Sequence, residues 1–241
     1  MCIRHLIFWG FALVLCALHP LAAQESAGPL IGQVGANQYV SPTGAFSVTI
    51  PVSAALGGSV SDTENVVTFQ DSFNTHQSIA CFKMDASLQR EYEARGRKDY
   101  LIWFFSNFVQ ADFEHRFPGT RVESAHFLNK IESGALLTYN LLPGGSMFGA
   151  SVMIVPNEAP LVAKRGNLIF MHNEYVFILS IELSEKVLER GAYTKTVAEE
   201  DEILRHRLLG LLGKMAFAAP PALPAADTTN TPTQIPATPA K

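Results

Sequence analysis

Gly144, Gly145, Ser146, Met147 and Phe148 open like the G-x-S-x-G elbow, which exposes a nucleophilic serine on a sharp strand-to-helix turn. Phe148 stands where the last glycine must permit that bend, so Ser146 reads as a turn residue. Asp112 and His115, three apart, have the spacing that presents a carboxylate and an imidazole together on one helix face, as a base pair or as two metal ligands; solvation at a helix end is the competing reading. His172 and Glu174 flank a tight turn, and His76 sits in a similar one. His126 falls on a strand pattern and reads as a core residue. No S-x-x-K, C-x-x-C, H-E-x-x-H or G-x-x-x-x-G-K occurs, so the common local signatures of hydrolysis, redox exchange, zinc and nucleotide binding are missing. No residue is assigned a catalytic, cofactor-binding or metal-ligating role, and no cofactor is expected. A site assembled from distant residues remains open, because such sites need proximity in space and not in sequence.

The elements that would carry these residues follow from hydrophobic period. FSVTIP puts Phe46, Val48 and Ile50 on one face and Ser47 and Thr49 on the other, the alternation of a half-buried strand. NVVTFQ and SIACFKM, separated by the turn-forming DSFNTHQ, predict an antiparallel hairpin over residues 66–84. The period then changes. Leu101, Phe104, Phe105 and Phe108 recur at i, i+3, i+4 and i+7, which predicts a helix over about 98–113, ended by Phe117 and Pro118. Ile102, Trp103 and Val109 widen its apolar surface, which fits burial on two sides or an aromatic patch for a partner or lipid.

Strands resume with TRVESAHFLN, GALLTYNLL and, after PGGS, GASVMIVP. A final pair, NLIFM and YVFILSIEL, is joined through Asn173, which tolerates the left-handed backbone of a tight hairpin. Both alternating faces of YVFILSI are apolar, so this strand is expected to be central and covered on both sides. Thr196 and Glu199 form a T-x-x-E capping box ahead of a helix whose Leu204, Leu208, Leu211, Leu212 and Met215 share one face. These elements predict an α+β domain: a mostly antiparallel sheet of about six to eight strands with one mid-chain and one C-terminal helix packed on it.

The ends have a different character. Arg4, the apolar run Leu6–Leu18 and HPLAAQES have the build of a secretory signal peptide over residues 1–23, cut between Ala23 and Gln24. Thirteen apolar residues before His19 and Pro20 fall short of the roughly twenty a spanning helix needs, so no transmembrane helix is expected after cleavage. Leu15 before Cys16 is not the small residue usual at a lipid-attachment site. Residues 24–37, with Gly28, Gly32 and Gly35, read as a short flexible leader to a single domain over 38–217. Residues 218–241, with six prolines among Ala and Thr, read as a disordered tail.

Loss of the leader removes Cys2, Cys16 and Arg4, leaving Cys81 as the lone cysteine and a net charge of −5. An internal disulfide is then impossible, and Cys81 is expected to be buried as a small hydrophobe, a redox or mixed-disulfide thiol being the alternative. The densest basic stretch, QREYEARGRKDY, interleaves its cations with acids and reads as a solvated surface, so no nucleic-acid partner is expected.

YVSPTGAFSVTIP at 39–51, the following hairpin, the mid-chain helix, the later strands and the final helix ending KMAF together resemble the PsbP-like group, extrinsic photosystem proteins and their exported bacterial relatives. The resemblance spans about residues 39–217. It implies an α/β/α sandwich and an accessory, non-enzymatic role, and it carries over no site residue. The function expected is that of an exported, periplasmic or secreted, binding or accessory domain with a protein or small-molecule partner in the cell envelope. The alternatives are an envelope- or membrane-associated assembly component using the aromatic helix face, and an enzyme with a dispersed site.

Overall fold

The computed structural model describes residues 29–149 and 160–219. A small sheet begins with β1 (Gln33–Gly35), β2 (Gln38–Val40) and β3 (Phe46–Thr49). Next come β4 (Ser59–Asp62), β5 (Val66–Gln70) and β6 (His76–Lys83), then α1 (Ala86–Arg95), α2 (Arg97–Phe104), a π-helical stretch Phe105–Gln110 and α3 (Ala111–Arg116). The chain continues through β7 (Arg121–Leu128), β8 (Ala135–Pro143), β9 (Val162–His172), β10 (Tyr175–Glu182), α4 (Ser184–Leu188), α5 (Val197–Leu212) and β11 (Met215–Phe217). All strand pairings are antiparallel, in two sheets ordered β1-β2-β3-β11 and β4-β5-β6-β10-β9-β8-β7.

The seven-stranded sheet divides the core in two because strand side chains alternate between faces. On one face Val67, Phe69, Ile79, Leu137, Leu168, Phe177 and Leu179 pack against the small sheet and against Leu204, Leu208 and Leu211 of α5. On the other, Leu136, Leu142, Ile169, Met171 and Val176 meet Tyr100, Leu101, Phe104, Phe105, Val109 and Phe113 of the mid-chain helices. The result is an α+β sandwich with cover on both faces. β10, between β6 and β9, is central as its doubly apolar pattern requires. The 66–84 hairpin forms in register, Val66 opposite Ala80 and Gln70 opposite His76.

At α5 the Thr196 hydroxyl accepts from the Glu199 amide at 3.4 Å while the Glu199 carboxylate accepts from the Thr196 amide at 2.7 Å, completing the capping box. Gly166 of β9 lets this helix approach closely: a Cβ there would lie 3.0 Å from Leu208 Cδ1 and 3.1 Å from Leu204 Cβ.

Several expectations are corrected. Gln33–Gly35, assigned to the leader, forms β1 and turns into β2 through Ala36 and Asn37, both at positive φ as a two-residue hairpin needs. The charged segment before the aromatic helix is solvent-facing as expected, but much of it is also helical, in α1: the Asp85 carboxylate caps the helix by accepting from the Ser87 and Leu88 amides, and Gly96 at φ 74° separates it from α2. Met215 leaves the apolar face of α5 for β11, where it pairs with Val48 of β3. Phe108, expected on the buried stripe, is 47% exposed, and Val109 is buried in its place. The π-helical turn is the reason. Its i→i+5 bonding widens the spiral, so the buried positions step from Phe105 to Val109 to Phe113. Here Ser106 Oγ and Asn107 Nδ2 donate to the carbonyls of Ile102 and Trp103.

Residues 1–28, which include the expected signal segment and its cleavage point at Ala23 and Gln24, lie outside the described residues, as do 220–241 of the tail and most of the GASVMIVP segment. Among the described residues no helix is long and apolar enough to cross a membrane.

Candidate functional site

The mid-chain helices do not seal their face of the sheet. Between them and strands β5, β6, β9 and β10 lies a cleft of about 720 Å³, within the range of about 300–1,000 Å³ typical of small-ligand sites. The sheet face beneath it is built in rows across the strands, and of these rows Val66, Ala80, Ile178, Ser78, Ser180, Asn167 and Arg165 form the floor. In one row Val66, Ala80, Ile178, Ile169 and Leu136 are successive cross-strand partners, all apolar. Two residues along each strand the row becomes Thr68, Ser78, Ser180, Asn167 and Thr138, all polar and uncharged. Two further, Glu182 pairs with Arg165 and Arg165 with Asn140, and His76, which precedes the Gln77 partner of Ile181, comes level with them.

The roof changes in the same sense. Trp103, Phe104 and Phe108 line the cleft before the helix advances to Asp112 and Arg116, and Arg165 lies 5.9 Å from the Phe113 ring. Leu88 and the capping Asp85 of α1 close one side. From this apolar stretch polarity rises toward Arg165, while Lys83, Ser87 and Glu91 line the cleft beside Asp85.

Hydrogen bonds hold the polar floor. Ser180 Oγ donates to Asn167 Oδ1 at 2.8 Å, and Asn167 Nδ2 donates to Asn140 Oδ1 at 3.0 Å. Asn140 Nδ2 in turn donates to Gln110 Oε1 at 2.8 Å, tying floor to roof at the π-helical stretch. Glu182 is buried and accepts from Ser146 Oγ at 2.6 Å and from the Met147 amide at 3.0 Å. Arg165 Nη2 lies 3.7 Å from Glu182 and donates to the Gly145 carbonyl at 3.3 Å. Its buried Nε meets no acceptor among the described residues. Burial, and then the nearby Arg165 charge, bring His76 down to about 4, so it is neutral at pH 7.

The residues singled out in the sequence do not converge. Asp112 lines the cleft but pairs with Arg116, and His115 is exposed. His172 pairs with Glu132 at 2.7 Å and stacks on Phe217, whereas Glu174 faces Lys83 at 3.3 Å. His126, expected in the core, is exposed at the edge strand β7. Ser146 lies in the irregular segment after β8 and donates its hydroxyl to the Glu182 carboxylate. Cys81 is buried on the far face of β6, where burial pushes its thiol up to about 12.

Sequence reading missed Arg165, Asn167, Ser180 and Glu182 because NLIFM and YVFILSIEL were read for their apolar residues. A signal was present: both strands become polar at i, i+2 positions at the ends that an antiparallel hairpin brings together.

No protein-family model matches the chain, and no curated protein matches it either. Solved structures are similar to it. A protein from Bacteroides thetaiotaomicron is 13% identical over 76% of this chain with a TM-score of 0.41, and the chain spans about half of that protein's length, 48%. Cyanobacterial PsbP from Synechocystis is 10% identical, with 83% of this chain and 100% of that one covered and a TM-score of 0.44. The Ran-binding protein Mog1p from Saccharomyces cerevisiae is 7% identical over 78% of this chain and 96% of that one, with a TM-score of 0.44. The group that the sequence resembles is thus represented among them.

Proposed function

We propose that the protein is an exported, non-enzymatic binding domain that takes a small ligand into the cleft between its mid-chain helices and the seven-stranded sheet. The observation that carries this reading is the cleft itself, an apolar stretch of floor and roof running into a hydrogen-bonding one, with no nucleophile and base brought together along it among the described residues. Export is supported by the Arg4, Leu6–Leu18 and Ala22-Ala23 pattern, and the envelope is the compartment in which a partner is expected.

Two measurements test it. The N-terminal sequence of protein recovered outside the cytoplasm should begin at Gln24, and deletion of residues 1–23 should retain the protein inside. Trp103 is the sole tryptophan of residues 24–241 and lines the cleft, so it reports directly on occupancy. The neutral apolar dye N-phenyl-1-naphthylamine should accept energy from Trp103 with one-to-one stoichiometry. Ala80→Phe, which fills the floor, should abolish the signal with little change in melting temperature. A native chain that takes up no dye would overturn the reading.

A second reading, an envelope-assembly component, draws on Ile102 and Phe108, 41% and 47% exposed on the same helical run. Binding of the protein to lipid vesicles that is lost in Ile102→Ser with Phe108→Ser would favour it.

A further inference from the structure

Arg165 is the least satisfied charged group in the cleft. Its side chain is 10% exposed and its guanidinium keeps its proton at any physiological pH. Five N–H donors leave this group, yet among the described residues it makes one contact at 3.3 Å to the Gly145 carbonyl and has a carboxylate at 3.7 Å, while Nε is buried without an acceptor. Glu182 is anchored from its other side, accepting from the Ser146 hydroxyl and the Met147 amide. Arg116 lies near enough to repel the Arg165 charge, and its own partner Asp112 stands on the roof. A buried cation in this state is costly unless an anionic oxygen completes its shell. Next to it the floor offers the hydroxyls of Ser78 and Ser180; beyond them it turns apolar beneath Trp103 and Phe108.

Resting on the reading of the cleft as a ligand site, we propose that its ligand is a single-chain amphiphile with an anionic head: carboxylate or phosphate oxygens against Arg165, and the chain along the row of Val66, Ala80 and Ile178 under Trp103. The head gains charge-assisted, two-pronged hydrogen bonds that a neutral hydroxyl does not supply. The chain removes apolar wall from water.

The test uses the chain from Gln24 to Lys241 loaded with N-phenyl-1-naphthylamine, displaced by dodecanoate, dodecyl phosphate, dodecanol or dodecyltrimethylammonium, each below its micelle-forming concentration. One or both anions should displace the dye at concentrations at least about tenfold lower than the alcohol, the cation should be weakest, and the stronger anion identifies the head group. Arg165→Met should bring the anions to the level of the alcohol. Should that variant not fold, the head-group ranking on the unaltered chain decides the matter alone. Equal displacement by alcohol and anions, or unchanged anion affinity in a folded Arg165→Met, overturns the proposal while dye binding leaves the cleft reading standing. Absence of dye binding overturns both.

Discussion

Lys164 and Arg165 are neighbours on β9 whose side chains leave the sheet through opposite faces, and both are buried. Lys164 enters the face closed by α5 and finds three carboxylates: Glu123 at 2.5 Å, Asp201 at 2.6 Å and Glu200 at 2.9 Å. Glu200 is shared with Lys186 at 2.5 Å. Burial alone would pull the Lys164 ammonium down, but hydrogen bonds to Asp201, Glu123 and Glu200 outweigh it and hold the group above its ordinary value. Arg165 enters the cleft and is held below its ordinary value, first by burial, with only partial relief from Glu182. One cation is saturated by its own chain and the other is not. The first is a structural fastening for a closed core, whereas the second leaves a demand for charge beside an open space.

The sharpest way to break this contrast is to remove each cation in turn. Lys164→Met leaves buried carboxylates facing one another and should cost about 3–5 kcal/mol in urea unfolding. Arg165→Met leaves Glu182 its hydroxyl and amide donors and should cost about 1–2 kcal/mol. Equal losses would erase the distinction.

The next effect in size is set by pH. His76 titrates near 4 when folded and near 6.5 when unfolded, so between those values the unfolded chain binds the extra proton. Its contribution is fully present above pH 6.5 and is lost as pH falls to 4, about 3 kcal/mol in all. Stability measured across that window should flatten in His76→Gln. Glu200, whose carboxyl is held below its ordinary value because Lys186 and Lys164 outweigh the effect of burial, should lose its contribution only at lower pH, through its depressed folded value.

Packing differs in the same direction. Gly166→Ala presses a methyl onto Leu204 and Leu208 of α5 and should cost about 1–3 kcal/mol in thermal or urea unfolding. Ala80→Val adds two methyls beside the cleft and should shift stability by less than about 0.5 kcal/mol. The smallest expected effect is chemical: Cys81, on the closed face with its thiol pushed up to about 12, should resist iodoacetamide at pH 8 until the protein unfolds. Rapid labelling of the native chain would show that this face opens as readily as the other.

How far the sequence reads depends on the range of the interactions involved. The hairpin of β5 and β6, the doubly apolar β10 and the Thr196–Glu199 cap were visible because each rests on residues within a few positions of one another. The helix around Phe104 was visible as an element, yet its exposed residue was not, since a period of 3.6 assumes α geometry and the π-helical turn shifts the stripe at Phe108. α1 went unseen because its apolar residues, Leu88 and Tyr92, are few and its cap is a single aspartate. The cleft was hidden for another reason: its floor draws on residues 66–82 and 165–180, and no local period relates them.

Local pattern, then, was enough for most of the long strands and for the final helix, and for the central place of β10. Tertiary structure alone decided that Lys164 meets three carboxylates and Arg165 one, at 3.7 Å, because strand alternation sends adjacent side chains to opposite faces but only the packing of α5 and of the mid-chain helices determines what waits there.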